Sequence, residues 1–296
     1  MMLVRKKISY QIKCRLPRCI YPLLIQYGYI KKFGRLCNFI NPKTFNEKIQ
    51  WSKLHRNMEF LSEYTDKIKV RDYVKNKIGE EYLVPVIGEV YRSADEIDFE
   101  NLPNRFVIKA NHGCGYNLIV SDKCELNLKE ARKKLDAWLN HNIAFETFEL
   151  QYKDISPMLY IEKNLCFGDI KDLPDYKFFC FNGKAFCSYI RTNYVHGYSN
   201  GYLAFLDRDY NIMPYYREGY MPITKQPDKP KNYDKMVEIA EKLSEGFSHV
   251  RVDLYNVDGK IYFGEMTFST CGGFGKFVPN EFDRILGKQW ELDSGI

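Results

Sequence analysis

The stretch Arg251 to Phe268, RVDLYNVDGKIYFGEMTF, decides how the chain folds. Two alternating runs flank Asp258-Gly259, a dipeptide suited to tight reversal, so the segment reads as a β-hairpin. Side chains alternate faces along a strand, which sets Arg251, Asp253 and Tyr255 on one side and Val250, Val252 and Leu254 on the other. On the return strand Phe263, Glu265 and Thr267 oppose Tyr262, Gly264, Met266 and Phe268. Register decides which of these residues meet. A two-residue turn at Asp258-Gly259 pairs Val252 with Glu265 and separates Asp253 from Glu265. A three-residue loop, Val257 to Gly259 with a left-handed Gly259 and a bulge, pairs Arg251 with Glu265 instead. Burying a carboxylate among valines costs several kcal/mol, so the bulged loop is expected. It gathers Val250, Val252, Leu254, Met266 and Phe268 on a core face and Arg251, Asp253, Glu265 and Thr267 on the other.

Two carboxylates diagonal on one strand pair, beside an arginine, form a hard-oxygen set that suits Mg²⁺ and the phosphates it bridges. A surface ladder of ion pairs uses the same residues. What favours the first reading is the sequel, Ser269-Thr270-Cys271-Gly272-Gly273-Phe274-Gly275-Lys276, a glycine-rich turn whose amides can approach an anion. A second constellation is Lys109 on an apolar strand before Asn111-His112-Gly113-Cys114-Gly115-Tyr116, where a lysine and a flexible loop can hold nucleotide phosphates. The third is Tyr160-Ile161-Glu162-Lys163-Asn164-Leu165, a strand exit whose backbone can meet a base.

Working outward, Thr44 to Asn57 and Ser62 to Lys77 read as helices, and Tyr82 to Tyr91 as a strand. Arg105 to Asn111 and Tyr116 to Ser121 are short strands, followed by a helix whose start signal is Asn127 to Glu130. Met158 to Glu162 is a strand, and Asp175 to Phe181 with Lys184 to Arg191 is a hairpin across Asn182-Gly183. Tyr202 to Tyr216 is further strand, and Tyr233 to Gly246 an amphipathic helix. Such alternation points to two α+β lobes with mostly antiparallel sheets and a cleft between them.

The chain has 296 residues, 45% hydrophobic and 28% charged, enough for a large core. Its most apolar run, Ile20 to Ile30, is far short of the roughly 20 residues a membrane span needs. Nine cysteines without a C-x-x-C pair read as free thiols in a reducing compartment, which makes the cytoplasm the expected location. The net charge of +6 hides an asymmetry, because residues 1–46 hold ten Lys or Arg and no Asp or Glu. Tyr10, Tyr21, Tyr27 and Tyr29 lie among Arg5, Lys6, Lys7, Lys13, Arg15, Arg18, Lys31, Lys32 and Arg35. This basic arm either packs its Leu and Ile face on the body or approaches an anionic surface such as the inner membrane face or an acidic polymer. No nucleic-acid motif is present.

Taken in order, FVIKANHGCG, YIEKNL and RVDLYNVDGKIYFGEMTF resemble the ATP-grasp superfamily. With Phe45-Asn46-Glu47-Lys48, TDKIKVRDYV, PDYKFFCFNGK and GFGKF, the stretch from about residue 40 to 290 is similar to the narrower TupA-like ATP-grasp family. The resemblance implies an ATP-grasp domain over 44–290, after an N-terminal helical arm over 1–43. A smaller nucleotide lobe would span about 105–160 and a larger metal-binding lobe about 161–290. Carried onto this sequence, it makes Lys109 the phosphate lysine, Gly113 and Gly115 the closing loop, and Glu162, Lys163 and Leu165 the adenine hinge. Asp175 becomes a candidate for the ribose hydroxyls, with Lys177 in the same nucleotide-binding group. Either Lys67 or Arg71 is the earlier phosphate contact. Asp253 and Glu265 resemble the Mg²⁺ ligands, and Arg251 the group that steadies the phosphoryl in flight. The superfamily commonly has Asn where Thr267 stands, although a hydroxyl can still ligate Mg²⁺.

The implied activity is a carboxylate–amine ligase, using ATP and Mg²⁺ to make an acyl phosphate that an amine attacks. Its acceptor would be a sugar-acid or amino-acid unit in cell-surface polysaccharide biosynthesis, chosen by loops such as Tyr194 to Asn200 and Gly272 to Lys276. A kinase of a sugar or polyol hydroxyl, and a non-catalytic nucleotide-binding component of a polysaccharide assembly, use the same ATP site.

Overall fold

The computed structural model describes residues 12–166, 173, 175–192 and 201–292. Arg5, Lys6, Lys7 and Tyr10 of the basic arm and the Tyr194 to Asn200 loop lie outside the described residues. In chain order the strands are β1 (Val86–Tyr91), β2 (Phe106–Ala110), β3 (Asn117–Val120), β4 (Leu159–Lys163), β5 (Asp175–Phe181), β6 (Lys184–Thr192), β7 (Tyr202–Asp207), β8 (Ile212–Met213), β9 (Tyr216–Arg217), β10 (Met221–Pro222), β11 (His249–Val257), β12 (Lys260–Thr267) and β13 (Phe277–Val278). They form a four-stranded sheet, β1-β4-β2-β3, and a seven-stranded sheet in which β10-β7-β6-β5-β11-β12 run side by side and β8 pairs with β7. A small β13-β9 ribbon completes the set. Within the two main sheets every pairing but that of β10 with β7 is antiparallel, as the α+β reading expects.

The small sheet buries Phe106, Ile108, Leu159 and Ile161 against Leu135 and Trp138 of the helix Leu128–Leu139. That helix starts on the predicted signal, with the Asn127 side chain accepting from the Glu130 amide. The large sheet is covered on both faces. Val250, Val252 and Leu254 of β11 pack with Met236, Ala240 and Leu243 of the helix Tyr233–Ser244. Each such side chain is worth roughly 1.5–3 kcal/mol when fully buried. On the opposite face Phe179, Phe181, Tyr189 and Phe205 meet the helices Phe45–His55 and Glu281–Gln289 through Phe45, Ile49, Phe282 and Leu286.

The β11–β12 hairpin corrects the expected register. Its turn is the two-residue one, Val257 opposite Lys260, with φ of 50° at Asp258 and 85° at Gly259. The bulge sits inside β12: Leu254 faces Phe263 and Asp253 faces Glu265, which leaves Gly264 as the extra residue. A Cβ at Gly264 would stand 3.0 Å from the Asp253 carbonyl oxygen and 3.2 Å from the Tyr255 ring, so glycine suits the close approach. Arg251 therefore pairs with Thr267, not with Glu265, yet the four polar residues still share a face. A bulge placed in the strand shifts the face as a bulged loop does.

The expected helix Ser62 to Lys77 is broken into Ser62–Thr65 and Val70–Lys77. Asp66 is extended at the break and its Oδ1 accepts from the amides of Ile68 (2.9 Å) and Lys69 (3.3 Å). Its Oδ2 accepts from Asn111 Nδ2 at 3.1 Å, and the Lys67 amide donates to the Asn111 carbonyl at 3.1 Å. A bond to a residue 45 positions away thus overrides local helical periodicity. Strand structure in Tyr202 to Tyr216 is also shorter than expected, since a turn at Asp207 to Tyr210 ends β7.

The described part of the basic arm packs on the body. Its helix Tyr21–Phe33 ends at a left-handed Gly34 and buries Tyr21, Ile25 and Tyr29. Arg18 pairs with Glu59, Lys32 with Glu218 and Arg35 with Glu47.

Candidate functional site

Strand alternation builds the polar end of the large sheet. Where Phe179 and Phe181 line one stretch of a face, Lys177 and Asp175 continue it on β5, and Arg251, Asp253 and Tyr255 do so on β11. Register then sets rows across the sheet: Lys177 beside Asp253 beside Glu265, and Arg191 beside Asp175 beside Tyr255. Arg251 Nε donates to Asp253 Oδ1 at 2.6 Å, and its Nη2 reaches Asp253 Oδ2 (2.8 Å), Glu265 Oε1 (2.9 Å) and Thr267 Oγ1 (3.0 Å). Lys177 Nζ bridges Asp253 and Asp175, the latter at 2.8 Å, and Arg191 meets Asp175 at 2.8 Å. Lys67 Nζ lies 3.4 Å from Glu265 Oε2.

Such charges are tolerated in the interior only as a paired network. Burial alone would raise the Glu265 carboxyl, but Lys67 and Arg251 outweigh it and hold the group well below the usual carboxylate range. Asp253 is shut away more completely, and there burial prevails over Arg251 and Lys177 and pushes its carboxyl up. Lys177 remains a firm cation, because Asp175 and Asp253 overcome its desolvation.

The small sheet contributes a second charged group. Lys109 Nζ is 2.6 Å from Glu162 Oε2, and Arg71 approaches Glu162 Oε1 at 3.3 Å while donating to the Val84 carbonyl at 2.8 Å. Lys109, Glu162, Lys163 and Leu165 line a cavity of about 230 Å³ together with Asp175, Arg191 and Tyr255 of the large sheet. Asp175 Oδ1 is buried there without a hydrogen-bond partner among the described residues, an acceptor suited to a hydroxyl donor. A larger cavity, about 310 Å³ between Ser52, Phe60, His249 and Trp290, is lined by none of the candidate residues.

Lys67 and Arg71, left open by the sequence, occupy different ends of the site. Lys67 also donates to the Gly113 carbonyl at 2.9 Å, whereas Arg71 belongs to the Glu162 end. Gly113 has no room for a Cβ, which would stand 2.3 Å from the Tyr116 ring, and Gly115 has a φ of 75°. The Lys163 amide donates to the Pro85 carbonyl at 2.9 Å, so this hinge donor is already engaged. The glycine-rich turn also differs from expectation. Its Gly272 and Phe274 amides donate to Ser269 and Cys271 carbonyls, and Lys276 turns to Glu218 at 3.3 Å. Cys271, Gly272 and Gly273 are all left-handed, and Gln50 and Lys53 secure the Gly272 carbonyl. Burial draws the Lys53 amine down to about 8.

Sequence reasoning missed Arg191, whose only signal is its place opposite Asp175 in the β5–β6 hairpin. It also missed Gln50 and Lys53, which depend on tertiary contact. All nine cysteines are free thiols. Among the described residues no group of three or more His, Cys, Asp or Glu side chains could hold a metal ion by itself. Asp253, Glu265 and Thr267 nonetheless offer oxygen donors on adjacent strand positions, which fits Mg²⁺ when phosphate oxygens supply the remaining ligands.

The family model described as TupA-like ATPgrasp matches residues 47–291. No curated protein matches the chain. Among solved structures the chain is similar to an L-amino acid ligase from Bacillus licheniformis, at 11% identity and a TM-score of 0.45, over 82% of this chain and 53% of that one. It is similar to a D-alanine–D-alanine ligase from Helicobacter pylori at 16% identity and a TM-score of 0.42, over 77% and 61%. A third is the ATP-grasp ligase PsnB complexed with a precursor variant, Mg and ADP, at 11% identity and a TM-score of 0.40, over 82% and 65%. The chain spans about half to two thirds of the length of these proteins.

Proposed function

The chain belongs to the TupA-like ATP-grasp family, and on that premise we propose that it is an ATP-dependent carboxylate–amine ligase. Its substrate would be a sugar-acid or amino-acid unit of a cell-surface polysaccharide. The observation that carries the reading is the convergence on one strand face: Tyr255 and Asp175 in a cavity shared with Lys109, followed by Asp253 and Arg251 toward Glu265. The nucleotide base and ribose would sit in that cavity, with Glu162, Lys163 and Leu165 beside the base and Asp175 Oδ1 accepting from ribose. Lys109, Lys177 and Lys67 would meet the phosphates, and Gly113 and Gly115 would close over them.

Mg²⁺, when bound, supplies charge neutralisation at the phosphates, and Asp253, Glu265 and Thr267 are the residues that would hold it. Arg251 contacts all three, as counter-ion to the Asp253 and Glu265 carboxylates and as donor to the Thr267 hydroxyl, and would neutralise negative charge on a phosphoryl group. An acceptor carboxylate oxygen would attack the γ-phosphorus as the bond to ADP breaks. An amine would then attack the acyl carbon, forming the amide and releasing phosphate. Residues 1–46 would bring the enzyme to an anionic surface where such polymers are built.

Hydroxylamine trapping tests the chemistry. ATP, Mg²⁺ and a panel of uronic acids should give ADP and a hydroxamate. ADP release with a phosphorylated hydroxyl and no hydroxamate would make the protein a kinase instead.

A further inference from the structure

The helix Tyr21–Phe33 is apolar up to Ile30 except for the half-buried Gln26, whose Oε1 accepts from the Cys37 amide, yet only one side is packed. Tyr21, Ile25 and Tyr29 are buried on the body, while Leu23, Tyr27 and Ile30 are 66%, 69% and 44% exposed. At 100° per residue these three fall within a narrow stripe on the side opposite the buried set. They are the only exposed positions from Tyr21 to Ile30, so the solvent-facing side of this stretch carries no polar side chain. Leu36 and Ile40, 66% and 96% exposed, follow just past the helix end.

Cations bracket the stripe. Arg15 and Arg18 precede it, and Lys31, Lys32 and Arg35 follow it, with Lys31 one turn beyond Tyr27. Arg18, Lys32 and Arg35 fasten the segment to body carboxylates. Arg15 and Lys31 are exposed and make no ion pair among the described residues. With ten basic and no acidic residues in 1–46, a second copy laid on this face would meet like charge. An occupant must offer both an apolar layer and negative charge beside it. We propose that Leu23, Tyr27 and Ile30 insert into the interfacial layer of an anionic phospholipid membrane, with Arg15 and Lys31 at headgroup level. The helix lies in the plane of the surface and does not span it. This goes beyond the ligase chemistry and uses none of the residues assigned to the nucleotide or the metal.

The test is flotation of the full chain with vesicles of phosphatidylcholine containing roughly one third phosphatidylglycerol, against pure phosphatidylcholine. The chain should float with the anionic vesicles, and raised salt should weaken its attachment. Changing Leu23, Tyr27 and Ile30 together to Ser should lower partitioning about tenfold or more while leaving every charge in place. ATP turnover in solution should be the same for both proteins. Equal flotation of parent and triple variant, or none with anionic vesicles, overturns the proposal. A dimer at micromolar concentration that the triple variant abolishes also overturns it, in favour of a second copy. Flotation without any ATP turnover leaves the membrane proposal standing and removes the ligase reading.

Discussion

Glu162 and Glu265 are both carboxylates held between two cations, and they differ in how the chain assembled their surroundings. Glu162 stands between Lys109 and Arg71, brought from another strand and a distant helix, with no second acid paired to the same cations among the described residues. Glu265 lies directly across from Asp253, with Arg251 shared between them and Lys67 on its outer side. Among the described residues the small-sheet cluster sets two cations against one carboxylate. The large-sheet cluster sets Arg191, Lys177, Arg251 and Lys67 against Asp175, Asp253 and Glu265. Counted over the described residues each carries one surplus positive charge, and Lys109 and Asp175 line the same cavity. Two separately built clusters thus present positive charge to one cleft, as a polyphosphate requires. Only the large-sheet cluster sets two carboxylates face to face, which is why the proposed Mg²⁺ is assigned to it.

That contrast can be broken by mutation. Glu265→Ala should lower kcat by roughly 10²-fold, about 3 kcal/mol, with little change in KM for ATP. Turnover at the parental rate would remove Glu265 from the reaction. Gly264→Ala strikes the same cluster through its backbone, because the added methyl crowds the Asp253 carbonyl. It should cost about 2 kcal/mol of stability, read as a lower denaturant midpoint, while an unchanged midpoint would mean that the bulge relaxes freely. Lys109→Met should act mainly on binding and raise KM for ATP about tenfold, or roughly 1.4 kcal/mol. A larger effect on kcat than on KM would erase the proposed division between the clusters.

The same contrast explains what could be read from the sequence. The polar face of β11 and β12 was legible because alternation is a local rule, and Arg251, Asp253, Glu265 and Thr267 share a face whichever device supplies the odd residue. The device itself was not legible: a three-residue loop and a bulge at Gly264 have the same effect on face, and only packing against Tyr255 and Asp253 separates them. The Asn182-Gly183 reversal was legible, as φ values of 48° and 75° bear out. Lys67 against Arg71 was undecidable, since both lay in what reads as one helix. Asp66 ends that helix through a bond to Asn111 that no window of sequence contains. Arg191 was hidden for a similar reason, because its importance comes from facing Asp175 across a hairpin.

The break at Asp66 has a mechanical consequence. Lys67 is tied to the exit of β2 by its amide, at the Asn111 carbonyl, and to the following loop by its amine, at the Gly113 carbonyl. Asp66 adds a third tether to the Asn111 side chain. Lys67 and the glycine loop are therefore held as one unit, even though the helix that follows the lysine packs Val70 and Val74 into the core beneath the large sheet. The segment that carries the lysine thus straddles the two sheets, so a displacement of either sheet would be felt at the Lys67–Glu265 pair.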